Sequence, residues 1–326
     1  MTDVVVINQV EIVTPSRLHF GLFGWGEALS RQFGGVGLMI DSPGIGLIAR
    51  PASTWQATGP HAARVLEIAQ RVASKLGGET ASPAVFQVST APPEHVGLGV
   101  GTQLSLAVTQ ALWSLRGGRR LDPLQLAELS GRGQRSGIGL HGFAHGGLIV
   151  DGGKKQPSQA PPLIAHAMPS PSWRVLLVVP RVGPGPHGER EADAFRRLPP
   201  VTHRVVDRLC ALVLLGILPA VVERDLPAFG AALTELQDQV GLMFAAAQGG
   251  RLLGHALLEE IVHDLRAMGF HGVGQSSWGP TIYGFTDLEP DHFRDALQAM
   301  TARLGLEPTA LSWTRPSETG AQCDVS

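Results

Sequence analysis

Val96-Gly-Leu-Gly-Val-Gly-Thr-Gln-Leu-Ser-Leu-Ala-Val108 decides how this chain is read. Three glycines at 97, 99 and 101 precede an apolar run with helical spacing. A strand pattern, Ala84 to Ser89, lies just upstream. The arrangement predicts a strand, a glycine loop and a helix from about Thr102 to Leu115. Glycine has no Cβ and tolerates positive φ, so such a loop brings backbone close to a ligand. The first N–H groups of the helix have no intrahelical partner and carry partial positive charge. A phosphate or pyrophosphate suits that position. No Gly-Lys-Ser/Thr follows, which excludes a Walker loop. No acidic residue stands at the distance a dinucleotide site requires. An ordinary tight turn is the plainer alternative.

Outward from the loop, the pattern mixes strands and helices in both halves. Four β-rich runs separated by glycine turns occupy 4–13, 17–24, 34–40 and 44–50. His61 to Leu76 has one apolar face (Val65, Ile68, Ala69, Val72, Leu76) and reads as a helix ended by Gly77-Gly78. A second helix is expected from Pro123 to Ser130, with Asp122 as its N-cap. Strands are expected at 146–150, 173–179, 270–275, 281–285 and 310–314, and helices near 201–215, 225–239, 254–268 and 290–304. Residues 154–171 are proline-rich and polar at their start, which places a boundary there. The class is α+β in two domains, 1–165 and 166–326.

Bulk properties narrow the function. The 326 residues are 44% hydrophobic and 17% charged, with net charge -2. That balance speaks against a general nucleic-acid binder. Cys210 and Cys323 form no disulfide framework or metal-ligand spacing, as in a reducing cytoplasm. No basic-then-apolar leader is seen at the N-terminus. The longest apolar stretch, Leu209 to Val222, contains Pro219 and is expected to be a buried helix rather than a membrane span.

Three further clusters carry chemistry. Arg17 and His19 in TPSRLHFGLFG (14–24) are two apart in a strand-like run and so share a face. A cation beside an imidazole suits an anionic substrate. Arg132 and Arg135 lie in a segment (131–147) with seven glycines, His141 and His145, read as a glycine-rich loop whose arginines could hold phosphate. No carboxylate or cysteine near the two histidines supports a metal site. Gln275, Ser276, Ser277 and Trp278 stand in a row before Gly-Pro. The tryptophan offers a flat apolar face and the other three offer hydrogen bonds.

PSRLHFGLFG, HVGLGVGTQLSLA and GVGQSSWGP, in that order, resemble the three motifs of the GHMP kinase superfamily. The resemblance spans nearly the whole chain and implies an N-terminal α+β domain and a ferredoxin-like C-terminal domain. The kinase chemistry looks deleted. Val100 and Gly101 replace the serines of the family's Gly-Leu-Gly-Ser-Ser-Ala loop. Gly139 stands where some family kinases carry a catalytic Asp, and glycine cannot take a proton. HVGLGVGTQ, SGIGLHGFAHGG and GQSSWGPTIYGF resemble the non-kinase β-ribofuranosylaminobenzene 5'-phosphate synthase branch, with Val100 a departure where a small residue is usual.

That branch condenses phosphoribosyl pyrophosphate with 4-aminobenzoate or 4-hydroxybenzoate, releases CO₂ and pyrophosphate, and starts the methanopterin branch. Carried onto this chain, the resemblance gives Arg17, His19, Gln275 and Ser276 as catalytic residues. Gly97, Leu98, Gly99, Gly101, Thr102, Gln103, Arg132, Arg135, Ser277 and Trp278 would bind substrates. Mg²⁺ is expected with the pyrophosphate, without a dedicated metal site. A homodimer is the assembly considered. No nucleic acid or membrane partner is expected. The competing readings are an ATP-dependent kinase of the same fold and a non-catalytic small-ligand sensor.

Overall fold

The computed structural model describes residues 7–27, 29–77, 82–156, 158–183, 185–186 and 188–326. The start of the first expected strand (4–6) and Gly78 lie outside them. In chain order the first elements are β1 (Val10–Gly24), β2 (Phe33–Pro51), β3 (Gln56–Thr58), α1 (Ala62–Gly77) and β4 (Ala84–Thr90). Then come α2 (Val100–Leu115), α3 (Pro123–Ser130), α4 (Ile138–His145), β5 (Leu148–Asp151) and β6 (Leu163–Ala167). The remainder comprises β7 (Arg174–Val178), α5 (Gly188–Arg197), α6 (His203–Leu212), α7 (Leu218–Glu223) and α8 (Leu226–Phe244), then α9 (Ala256–Ala267), β8 (His271–Gln275), β9 (Ile282–Thr286), α10 (Arg294–Leu304), β10 (Leu311–Thr314) and β11 (Gln322–Val325).

Two sheets organise these elements. The first runs β11-β1-β2-β4-β3, with β5 on β2 and β6 on β5; the second is β10-β7-β9-β8. The α+β class is therefore as expected. The four short strands expected in the first 50 residues are instead two long bent ones. β1 bends at register shifts between Thr14 and Ser16 and between His19 and Gly21, where bulges re-aim side chains. Arg17 to His19 pairs regularly with Met39 to Gly37 between those bends. The boundary expected after 165 falls inside β6. β11, which was not anticipated, returns to the first sheet and pairs with β1 in register Val10 to Val325.

α2 is buried along nearly its whole length, Leu104 through Leu112. It packs on β1, β2, α1 and α3 as the central helix of the first layer. α3 begins as its sequence dictates. The Asp122 carboxylate accepts from Gln125 N at 2.9 Å, and Asp122 N donates to the Gln125 side chain at 3.1 Å. Such a cap contributes about 1 kcal/mol.

The two sheets meet through aromatic rings. Phe20 of β1 lies 5.3 Å from Tyr283 and 6.2 Å from Phe285 of β9, centroid to centroid. Phe229 of α8 closes the cluster against Trp173.

The helix expected to stop near 215 runs on to Glu223. Pro219 has no N–H and would crowd the carbonyl four residues back. A π turn, Val213–Ile217, widens the helix just before it. The run His203–Glu223 is, among the described residues, the one helical stretch apolar and long enough to cross a bilayer by length and composition alone, with a third of it buried. It packs on α8 and β1. Contrary to the expected buried helix, Leu214, Leu215 and Val222 are exposed.

Candidate active site

A cleft of about 620 Å³ opens where the glycine loop, β1, the 131–136 segment, α5, α8 and the 275–279 turn converge. Arg17, His19, Gly97, Gly99, Gly101, Thr102, Arg132, Arg135, Gln275, Ser277 and Trp278 all line it. Leu98, Gln103 and Ser276 do not. Their side chains hold the cleft together from behind.

Gly99 adopts φ 74° and caps α2, and its carbonyl receives Thr102 N at 3.0 Å and Gln103 N at 3.1 Å. Arg17 lies against this turn: a Cβ on Gly99 would stand 3.1 Å from Arg17 Nε. The loop is tied to β1 by Arg17 N donating to Leu98 O at 3.0 Å. Leu98 is itself buried in the core. Gln103 is buried too, and its amide donates to Gly139 O at 2.8 Å, which fixes α4 against α2. The expected place for Gln103 beside the ligand is thus corrected: at the second turn residue of α2 its side chain points into the helix packing.

Ser276 is fully buried. Its hydroxyl donates to Gly97 O at 2.7 Å and accepts from His19 N at 3.0 Å. It joins the third motif to the other two and has no free face toward a substrate, so the catalytic role expected for it is replaced by a structural one. Gln275 borders the cleft, but its amide donates to Gly279 O at 2.8 Å and its carbonyl accepts from Gly254 N at 3.3 Å. Ser277 takes φ 56° to let the chain turn, and its N–H donates to His19 O at 3.1 Å.

The cleft has a cationic end. Arg132 Nε donates to Ser105 Oγ at 3.0 Å. A Cβ on Gly101 would stand 3.2 Å from Arg64 Nη2 and 3.7 Å from Arg132 Nη2, so both guanidinium groups crowd the start of α2. Arg64 lies on the face of α1 that reads as solvated, and nothing in the sequence singled it out. It is paired with Glu94 at 3.0 Å. Burial, then the neighbouring Arg64 and Arg71, lower the Arg132 pKa to about 10. Arg17 is lowered to about 10 by burial, with Glu191 opposing. Crowded, partly desolvated arginines at a helix N-terminus suit an anion.

The opposite end is aromatic. Trp278 meets Phe244 of α8 at 4.7 Å and Phe195 of α5 at 6.0 Å, both edge-on. Arg135 lies over Phe195, 5.0 Å from its centroid, and pairs with Glu191 at 2.7 Å. Arg135 and Arg132 thus have different partners in the same cleft. The segment read as a loop also contains α4. There His141 Nε2 is 2.8 Å from Pro161 O, deep in packing.

Beside His19 runs a hydrogen-bonded chain the sequence did not reveal, whose half-buried middle member, Ser136, also lines the cleft. His19 Nε2 is 3.1 Å from Ser136 Oγ, and Ser136 donates to Asp151 Oδ2 at 3.2 Å. Asp151 also accepts from Gly137 N at 2.8 Å and Gly153 N at 2.9 Å. Burial outweighs these bonds and raises its pKa to about 6. Burial, then Arg17, hold His19 well below the ordinary imidazole range.

Gly139 faces the cleft side of α2. A Cβ there would lie 3.1 Å from Thr102 Cγ2 and 3.7 Å from Arg17 Cδ. Gly139 thus lies beside Thr102 and Arg17, with no side chain of its own.

Residues 217–303 match the family described as GHMP kinases C terminal. A β-ribofuranosylphenol 5'-phosphate synthase of Archaeoglobus fulgidus is 36% identical over 97% of this chain and 100% of its own length. The chain belongs to the β-ribofuranosylphenol 5'-phosphate synthase family. A second synthase, from Methanothermobacter thermautotrophicus, is 33% identical over 90% of the chain and 93% of its own length. Among solved structures, homoserine kinase from Cytophaga hutchinsonii superposes with TM-score 0.68 at 15% identity, covering 97% of this chain and 98% of that one. The chain thus has the fold of the GHMP kinases. The synthases are an enzyme family, and the kinase alternative gives way to it.

Proposed function

We propose that this cleft condenses phosphoribosyl pyrophosphate with 4-hydroxybenzoate, releasing CO₂ and pyrophosphate and leaving a β-ribofuranosylphenol 5'-phosphate. The observation that carries the reading is one cleft with a cationic helix terminus at one end and an aromatic wall at the other. The relatives' name specifies a ribosylated phenol, which favours the hydroxy acid over 4-aminobenzoate.

Pyrophosphate sits on the Gly97 to Thr102 turn, between Arg64 and Arg132. Those charges stabilise it as the bond to the anomeric carbon breaks, which is catalysis by preorganised electrostatics. Trp278, with Phe244 and Phe195 behind it, holds the aromatic ring so that its carboxylate-bearing carbon meets the anomeric carbon. Arg17 and His19 lie between the two ends, next to the reacting groups. Arg135 is the candidate for the ribose 5-phosphate. The cleft carboxylates Glu94 and Glu191 are each engaged by an arginine, so Mg²⁺ is taken to arrive on the pyrophosphate oxygens rather than on protein ligands. The cytoplasm is the assigned compartment, in keeping with two free cysteines.

Carboxyl-labelled 4-hydroxybenzoate tests the reading. Labelled CO₂ should appear only when phosphoribosyl pyrophosphate is present. Folded protein that binds phosphoribosyl pyrophosphate but releases no CO₂ from either acid would overturn it in favour of a sensor.

A further inference from the structure

We propose that Asp151, acting through Ser136, fixes His19 as its Nε2–H tautomer and so presents Nδ1 as a bare hydrogen-bond acceptor to an O–H or N–H of the bound substrate. Asp151 and Ser136 are positioning residues in this account. His19 and Ser136 both border the cleft, and His19 is the one offered to the substrate.

Hydrogen-bond accounting carries the argument. Ser136 has one hydroxyl proton and three partners. Ile138 N lies 3.2 Å from Ser136 Oγ and can only donate. Ionised Asp151 can only accept. The Ser136 proton therefore goes to Asp151 Oδ2, and Ser136 Oγ must accept from both Ile138 N and His19 Nε2. That places the imidazole proton on Nε2. Among the described residues Nδ1 has no hydrogen-bond partner, and His19 lines the cleft.

Protonating Asp151 reverses the chain. Its other partners are the N–H groups of Gly137 and Gly153, which cannot receive a proton. Ser136 Oγ alone can accept it. Ser136 must then donate to His19 Nε2, and the imidazole proton moves to Nδ1. The acceptor facing the substrate becomes a donor. The device is thus a tautomer switch thrown from buried Asp151, with the ring's tautomer set by its hydrogen-bond partner Ser136.

The switch belongs in the range around pH 6, where burial places Asp151. The charged and titratable groups packed around it are few. Arg31, between β1 and β2, opposes the rise and its guanidinium donates to Gly152 O and Gly153 O. Arg17 on β1 acts on His19, and Glu191 of α5 acts on Arg17. His141 of α4 is occupied by Pro161 O. Lys154 follows β5 and is held down by burial and by Arg135. Burial and Arg17 both disfavour the charged imidazole of His19.

This inference rests on the proposed reaction only for the identity of the substrate donor; the tautomer does not depend on it. Spectra of ¹⁵N-histidine-labelled protein between pH 5 and 8 test it, with the His19 signal assigned by its loss in His19→Gln. His19 should change from the Nε2–H to the Nδ1–H pattern as pH falls through about 6. The transition should vanish in Asp151→Asn and in Ser136→Ala. An Nδ1–H pattern at pH 8, or the same transition in folded Ser136→Ala, overturns the proposal. If the spectra behave as expected, the acid limb of kcat/KM near pH 6 should also vanish in Ser136→Ala; an unchanged limb would remove the switch from catalysis. Absence of any CO₂ release would instead count against the reaction and leave the spectral result standing.

Discussion

Ser276→Ala discriminates most sharply between a residue that reacts and one that joins. The hydroxyl is fully buried and makes two bonds, to Gly97 O at 2.7 Å and from His19 N at 3.0 Å. Removing it leaves one buried acceptor and one buried donor unmatched, each worth roughly 1–3 kcal/mol. Partial relaxation makes a total near 3 kcal/mol reasonable. At about 2.1 cal/mol/K per residue, 326 residues give about 1.5 °C per kcal/mol. The expected loss in Tm is therefore roughly 4–5 °C, with KM for phosphoribosyl pyrophosphate raised because the loop and β1 are no longer tied. Thermal unfolding and steady-state kinetics on one preparation read both quantities. An unchanged Tm with a collapse in kcat would refute the structural reading and return Ser276 to the chemistry.

Three other perturbations test separate parts of the site. Arg64→Ala removes one charged contact at the start of α2, worth roughly 1.5–3 kcal/mol. KM for phosphoribosyl pyrophosphate should rise about 10- to 150-fold, with KM for the aromatic acid little changed. Trp278→Ala should do the opposite, weakening the aromatic acid by about tenfold, as expected for loss of one stacking face; a larger effect on phosphoribosyl pyrophosphate would remove the aromatic-wall assignment. Asp151 has a folded-state pKa raised from 3.8 to about 6. The native state then holds more protons than the unfolded state between those values, so stability due to this group falls as pH rises from about 4 to about 6 and is level above. The difference is roughly 3 kcal/mol. Urea unfolding from pH 4 to 8 should show that decline in wild type and not in Asp151→Asn; parallel curves would exclude Asp151 as its source.

The three motifs were legible because each combines glycine with a functional side chain at short range. The loop, the Arg17 and His19 pair on one strand face, and the Ser277-Trp278 turn all reached the cleft they were assigned to. The sequence could not say which way a side chain turns once buried. Gln103 and Ser276 sit inside readable motifs, yet their hydrogen bonds go to Gly139 and Gly97, 36 and 179 positions away. Arg64 was invisible because an arginine on the polar face of an amphipathic helix looks solvated until another element covers it. Asp151 was passed over as a turn residue before two glycines. Its burial depends on β5 lying between β2 and β6, which no local pattern encodes. α4 was hidden by its own glycines, which are poor helix formers but let α4 lie against Met39 and Thr102.

The pairing of β11 with β1 bears on how the chain comes into being. Val10 and Val325 are register partners, although they lie far apart along the chain. While the ribosome is still at work, β1 presents a bare edge of unpaired N–H and C=O groups, the kind of edge that recruits other chains. β1, the strand bearing Arg17 and His19, therefore keeps the Val10–Val13 part of its edge open until Gln322–Val325 pair with it.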